Sequence, residues 1–212
     1  STGCTVNFHL SKDLSKYWKI SMNWFVHNNR GSVQTGQGSD DKLGSKAITK
    51  DIHVTFPRPY LIPPDVKLFL TGFNADDPSL KLIVQKVTKN GFTLKVHKWR
   101  NTNYHWFKFD WVAASKNDPV VKLSHYYKNC YPSTKKCSLI NKGGLKKVRT
   151  LFYNPFKYTG SQRIIGISSI DTGPKNNLRL TLFKGDYGVK LQTWWNTTIW
   201  GVYTSHMEII KR

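Results

Sequence analysis

Seven histidines and twelve carboxylates, with Glu208 the sole glutamate, are the groups available for acid–base chemistry. They form no His-Glu-x-x-His, no Gly-x-Ser-x-Gly and no phosphate-cradling glycine loop, and a hydrolase using paired carboxylates would have few to choose from. The residues point away from an enzyme, and no cofactor is expected. Cys4, Cys130 and Cys137 lack the paired spacing of a tetrahedral zinc site, so no metal is expected either. Cys130 and Cys137 bracket a turn-rich Tyr131-Pro132-Ser133-Thr134-Lys135-Lys136, and a local disulfide is the simplest reading for a secreted, extracellular chain. Cys4 is then left over, to join a second chain in a homo-oligomer, to pair with one of the other two, or to stay reduced.

Charge is the next chemical resource. Against the acidic residues stand 33 lysines and arginines, a formal net charge of +21, whose natural complement is an anionic partner or surface. Both halves carry the excess, and Lys142, Lys146, Lys147 and Arg149 form a dense stretch. Such a cluster attracts heparin-like glycan, acidic polysaccharide, anionic lipid or nucleic acid without reading a sequence, or it is an ordinary solvated loop. Nucleic acid is the least favoured partner, because no helix-turn-helix, RNP-type or zinc-finger pattern accompanies the charge.

These groups must be positioned by strands. The chain has 212 residues, 39% of them hydrophobic and 14% aromatic, enough to bury the core of one or two domains. Alternation of apolar and polar residues runs through Asp65–Leu70, Phe92–Val96 and Leu178–Leu182, with turn residues at Pro63-Pro64, Asn90-Gly91, Gly143-Gly144 and Gly173-Pro174. An all-β chain is predicted. The alternation Phe107, Phe109, Trp111 assigns Trp111 to the core. No apolar run approaches the ~20 residues of a membrane span, and nothing at Ser1 reads as a signal peptide, so the sequence as given reads as soluble.

The chain also repeats itself. Phe56-Pro57-Arg58-Pro59-Tyr60 recurs as Phe152-Tyr153-Asn154-Pro155-Phe156, Leu80-Lys81-Leu82 as Leu178-Arg179-Leu180, and Trp99-Arg100-Asn101-Thr102 as Trp194-Trp195-Asn196-Thr197. From Phe to Trp is 43 residues in one copy (56 to 99) and 42 in the other (152 to 194). The copies occupy residues 32–116 and 119–212, joined at Lys116-Asn117-Asp118-Pro119. Residues 1–31 carry a further strand segment, Tyr17–Val26, similar to Tyr104–Val112. It reads as the remnant of a preceding repeat or as cover for a sheet edge.

On these residues each copy resembles an H-type lectin domain, the module of snail agglutinins and of the C-terminal part of discoidins. The resemblance implies two antiparallel six-stranded β-sandwiches, oligomers, and shallow sites for galactose or N-acetylgalactosamine. In such sites aromatic faces cover the apolar patch of a sugar and fixed polar groups read its hydroxyls. The family uses an acidic residue, a strand arginine, the Trp and His of a Trp-His-Asn-Thr element, and an aromatic six residues after that Trp. Carried over, these slots hold Ser45, Lys81, Trp99, Arg100 and His105 in the first copy, and Asn141, Arg179, Trp194, Trp195 and Trp200 in the second. Five of these have a plainer alternative: core burial for Trp99 and Trp194, a solvated strand face for Lys81 and Arg179, and ring stacking for Arg100. Loss of the carboxylate and gain of cations in the first copy favour a sulfated, carboxylated or sialylated glycan over a neutral one. The second copy keeps the arginine and three aromatic faces. The sequon Asn196-Thr197-Thr198 is expected to be unoccupied if that pocket works. The reading is a secreted, multivalent lectin. The alternative is a structural or adhesive module that holds polyanions by charge without a sugar pocket.

Overall fold

The structure, a computed structural model, describes residues 31–41, 48–75, 79–98, 104–129, 149–153, 161–172, 178–182, 189–193 and 199–210. Among them are twelve strands and no helix, and so no helix long and apolar enough to cross a membrane. The strands are β1 (Val33–Asp40), β2 (Ile48–Thr55), β3 (Asp65–Ala75), β4 (Ser79–Gln85), β5 (Gly91–Lys98), β6 (Tyr104–Ala114), β7 (Val121–Asn129), β8 (Arg149–Tyr153), β9 (Gln162–Thr172), β10 (Leu178–Leu182), β11 (Val189–Thr193) and β12 (Ile199–Ile209). The segments read from alternation at 65–70, 92–96 and 178–182 lie in β3, β5 and β10. All pairings are antiparallel and form three sheets, ordered β1-β6-β3, β10-β11-β8 and β2-β5-β4-β9-β12-β7.

Alternation explains the first core. Val66 and Leu68 of β3, Leu80 and Leu82 of β4, and Phe107, Phe109, Trp111 and Ala113 of β6 are buried in one cluster with Phe92, Leu94 and Val96 of β5. The intervening His105 and Lys108 of β6 are exposed. Here β1-β6-β3 packs face to face on β2-β5-β4, and Asp40 of β1 meets Lys50 of β2 across the layers at 2.6 Å. The other face of β1-β6-β3 is apolar too. Val33, Phe69, Val112 and Ala114 pack against Val121 and Leu123 of β7, Ile164 of β9, and Met207 and Ile209 of β12. The six-stranded sheet therefore contacts both faces of the three-stranded one.

The order of connection recurs after six strands. The ladder β1-β6-β3 has its counterpart in β7-β12-β9, and β2-β5-β4 in β8-β11-β10. Register recurs as well: Ala114 faces Val33 and Asp65 at one end, as Ile209 faces Val121 and Gln162. Both ladders carry two irregularities at matching places. One skips His105 in β6 and Trp200 in β12; the other leaves Thr71 in β3 and Ser168 in β9 as the extra residue. One detail of the sequence alignment differs. Phe56 follows the last residue of β2, whereas Phe152 lies within β8 opposite Lys190, so the two phenylalanines are not at equivalent ladder positions.

A six-residue turn joins β6 to β7. Asp118 Oδ1 accepts the N–H groups of Val120 and Val121 at 2.8 and 2.7 Å, and its N–H bonds the Ser115 carbonyl. Burial alone would raise the Asp118 pKa, but these N–H groups and the Ser32 hydroxyl outweigh it and hold the carboxyl below its usual value.

Candidate functional site

β4 and β9 pair over only three residues, Ser79 with Asp171, Leu80 with Ile170 and Lys81 with Ser169. Past Lys81 the ladder ends, and Ser169 takes over with its side chain: Leu82 N–H donates to its Oγ at 2.9 Å. The bulge at Ser168 falls at the same level. The strands part there and leave a cavity of about 320 Å³, at the small end of the ~300–1,000 Å³ typical of small-molecule sites.

Five strands line it. Lys67 comes from β3, Lys81 from β4, His125 from β7, Ser168 from β9, and Tyr203 and Ser205 from β12, with aliphatic walls from β3 and β4. Strand periodicity explains the polar character. On β7 the face bearing Val121 and Leu123 ends in His125, and on β12 the face bearing Ile209 and Met207 continues into Ser205 and Tyr203. The apolar seam between β3 and the β9-β12-β7 ladder thus turns polar along its own length. The Lys81 ammonium lies 4.7 Å from the centroid of the Tyr203 ring, a cation–π contact that fixes both groups.

The field in the cavity is positive. Burial lowers the Lys67 pKa, opposed in part by Asp65. Partial desolvation lowers that of His125, with Lys67 adding to the effect. The pKa of His97, on β5 directly opposite Lys81 of β4, is lowered by burial and then by Lys81 and Lys95. No carboxylate is among the described residues that line the cavity. Its ammonium groups and hydroxyls are suited to holding an anion or a polyhydroxylated anionic molecule by charge-assisted hydrogen bonds.

Of the positions read from sequence, Lys81 lines this cavity and His105 does not. His105 is exposed at the start of β6, next to Tyr104, whose buried hydroxyl accepts the Ser79 N–H at 2.9 Å. Arg179 lies on β10 opposite Gln192, and Trp200 at the start of β12. Ser45, Trp99, Arg100, Asn141, Trp194, Trp195, Cys4, Cys130, Cys137 and the sequon at Asn196 lie outside the described residues.

The comparison with known families decides part of the reading. Residues 51–114 match the H-type lectin domain. The match runs from within β2 to the end of β6, and takes in Lys81 and the core residues Phe107, Phe109 and Trp111. H-type lectin domains bind carbohydrate, and the domain family is non-enzymatic. No curated protein sequence matches the chain. Sequence reasoning missed Lys67, His125, Ser168, Tyr203 and Ser205 as site residues. The H-type lectin resemblance supplied Lys81 alone, and no local pattern announces that β7, β9 and β12 would be brought to it.

Proposed function

We propose that this chain is a secreted glycan-binding protein of two H-type-lectin-like sandwich units, residues 32–116 and 119–212, which binds acidic sugars at the Lys81 cavity. The observation that carries this reading is a cavity lined by Lys67, Lys81 and hydroxyls, with no carboxylate among its described lining residues, in contact with the H-type lectin segment. The tandem arrangement is supported by the recurring strand order, register and paired bulges of the β1-β6-β3 and β7-β12-β9 ladders. A sulfate or carboxylate meets the ammonium groups, and the ring hydroxyls meet Ser168, Ser205 and Tyr203.

A second site is proposed around Arg179, Trp194 and Trp200, with Asn141 and Trp195, since β10 and β12 are the counterparts of β4 and β6. Two sites on one chain, or several chains joined through Cys4, raise avidity without new contacts. A glycan array of neutral and acidic monosaccharides tests the reading. Binding of sulfated or carboxylated sugars is expected, lost in Lys81→Ala and competed by free acidic sugar at constant salt. Equal binding by Lys81→Ala removes the cavity as the site.

The net charge of +21 favours one other reading, retention of polyanions by charge alone. Binding that vanishes with rising salt and ignores free monosaccharide supports it over the lectin.

A further inference from the structure

Residues 56–64, between β2 and β3, form a loop that is firmly held and yet presents its aliphatic side chains to water. Leu61 is fully exposed (100%) and Ile62 half exposed (50%), whereas Tyr60 before them and Pro64 after them are buried. The loop is not slack. Gln34 donates from Nε2 to the Arg58 carbonyl at 2.8 Å and accepts the Arg58 N–H at Oε1 at 2.9 Å. Phe56 N–H bonds the Asn90 carbonyl, Tyr60 N–H the Lys89 carbonyl, and the Tyr60 hydroxyl the Ala113 carbonyl, all within 2.9 Å. Two adjacent aliphatic side chains held in water by an ordered loop are available for an apolar contact.

Most of its backbone N–H groups are absent or already bonded. Pro57, Pro59, Pro63 and Pro64 have no N–H to dehydrate, and the amides of Arg58 and Tyr60 are satisfied within the protein. Its flanks are cationic. Arg58 is exposed on the loop itself, and Lys86 and Lys89 are exposed in the β4–β5 turn to which the loop is bonded. Lys86 there holds φ at 46°, the left-handed region that lysine rarely adopts. Lys116 is exposed in the turn after β6, at the same end. Asp118, at this end, is engaged by backbone N–H groups.

We propose that this end of the molecule docks on anionic membrane: Leu61 and Ile62 enter the boundary between headgroups and acyl chains, while Arg58, Lys86, Lys89 and Lys116 face lipid phosphates and carboxylates. Apolar contact and charge together supply the two signals that reversible membrane binding needs. The site shares no residue with the Lys81 cavity, so it stands whether or not the glycan reading does.

The test is co-sedimentation of the full chain with phosphatidylcholine vesicles, with and without phosphatidylserine and free of glycolipid. Binding is expected only with phosphatidylserine, weakened at least roughly tenfold in the Leu61→Ser/Ile62→Ser double variant. Lys86→Gln/Lys89→Gln should weaken it as well, and reduce its sensitivity to salt. Thermal denaturation and array binding of both variants should match the parent, which separates this surface from the glycan site. Undiminished vesicle binding by the Leu61/Ile62 variant overturns the proposal. So does absence of vesicle binding by the parent, and a fall in oligomer mass in that variant would then make the tip a contact between copies of the chain.

Discussion

Trp111 and His206 occupy the same position in two successive ladders. Trp111 of β6 lies between Gly36 of β1 and Leu68 of β3; His206 of β12 lies between Ser124 of β7 and Ile165 of β9. The neighbouring rung reverses size, since Phe109 faces Gly38 where Thr204 faces Tyr126. In the first ladder the glycines are required by volume: a Cβ on Gly36 would sit 2.5 Å from the Trp111 ring, and one on Gly38 would collide with Phe109. In the second, smaller β12 side chains leave room for serine and tyrosine.

Gly36→Ala should accordingly destabilise the fold by about 1–3 kcal/mol, the usual cost of forcing a packed ring to move. Ser124→Ala, at the matching position, loses only a 3.5 Å contact to His206 and should cost under about 1 kcal/mol. Urea denaturation of the two variants checks the contrast.

His206 makes stability fall with acid. It is fully buried, with Thr204 Oγ1 at 2.9 Å from Nε2. Burial, reinforced by His125 and Lys67, pushes its pKa down from 6.5 to about 3. The unfolded chain takes up the proton first, so this contribution is whole above pH 6.5 and is lost progressively as pH falls towards 3, by up to about 1.4 kcal/mol per pH unit. Urea midpoints across that window should drop in the parent and drop less steeply in His206→Gln.

Tyr60 acts at the opposite end of the scale. Burial raises its pKa from 10.0 to about 12, and its hydroxyl donates to the Ala113 carbonyl. Its folded pKa lies above the unfolded one and the protonated form is the buried one. The contribution is therefore present below pH 10 and lost as pH rises towards 12. Ultraviolet titration of phenolate formation should show a late-ionising tyrosine that is missing in Tyr60→Phe. That variant should cost about 1 kcal/mol at neutral pH.

Asp118 organises the β6–β7 turn. Because its folded pKa is depressed, its contribution is present above the unfolded value of 3.8 and lost as pH falls through the folded one. Asp118→Ala should cost about 1–2 kcal/mol and speed amide exchange at Val120 and Val121, measurable by hydrogen exchange.

Lys67 should trade stability against binding. Its ammonium is partly desolvated, which costs free energy without a bound anion. Lys67→Met is expected to leave the denaturation midpoint unchanged or raise it, while weakening binding of a sulfated or carboxylated sugar roughly tenfold by calorimetry. A fall in stability with binding intact would contradict this assignment.

Alternation in the sequence located β3, β5 and β10 and put Trp111 in the core, because side-chain period and burial are local properties of a strand. The repeated Leu-basic-Leu element placed Lys81 and Arg179 on strands in the same way. Arg163 and Glu208 were not marked as partners, though their side chains lie 3.8 Å apart on β9 and β12; residues 45 positions apart leave no periodic trace. Thr204, His206 and Glu208, buried where β6 carries Phe109, Trp111 and Ala113, were equally silent. A polar residue on a strand reads as solvent-facing unless its partners are known.

By itself the sequence determined an all-β chain, its cationic excess and the likeness of residues 51–114 to an H-type lectin domain, since composition and short-range spacing carry all of these. Only the tertiary structure decided that β4 meets β9 for three residues and then parts from it. That choice of edge partner brings Lys67, Lys81, His125, Tyr203 and Ser205 around one cavity. Pairing between strands about ninety residues apart depends on which edges are left open after each sheet has formed, and no local pattern of side chains encodes it.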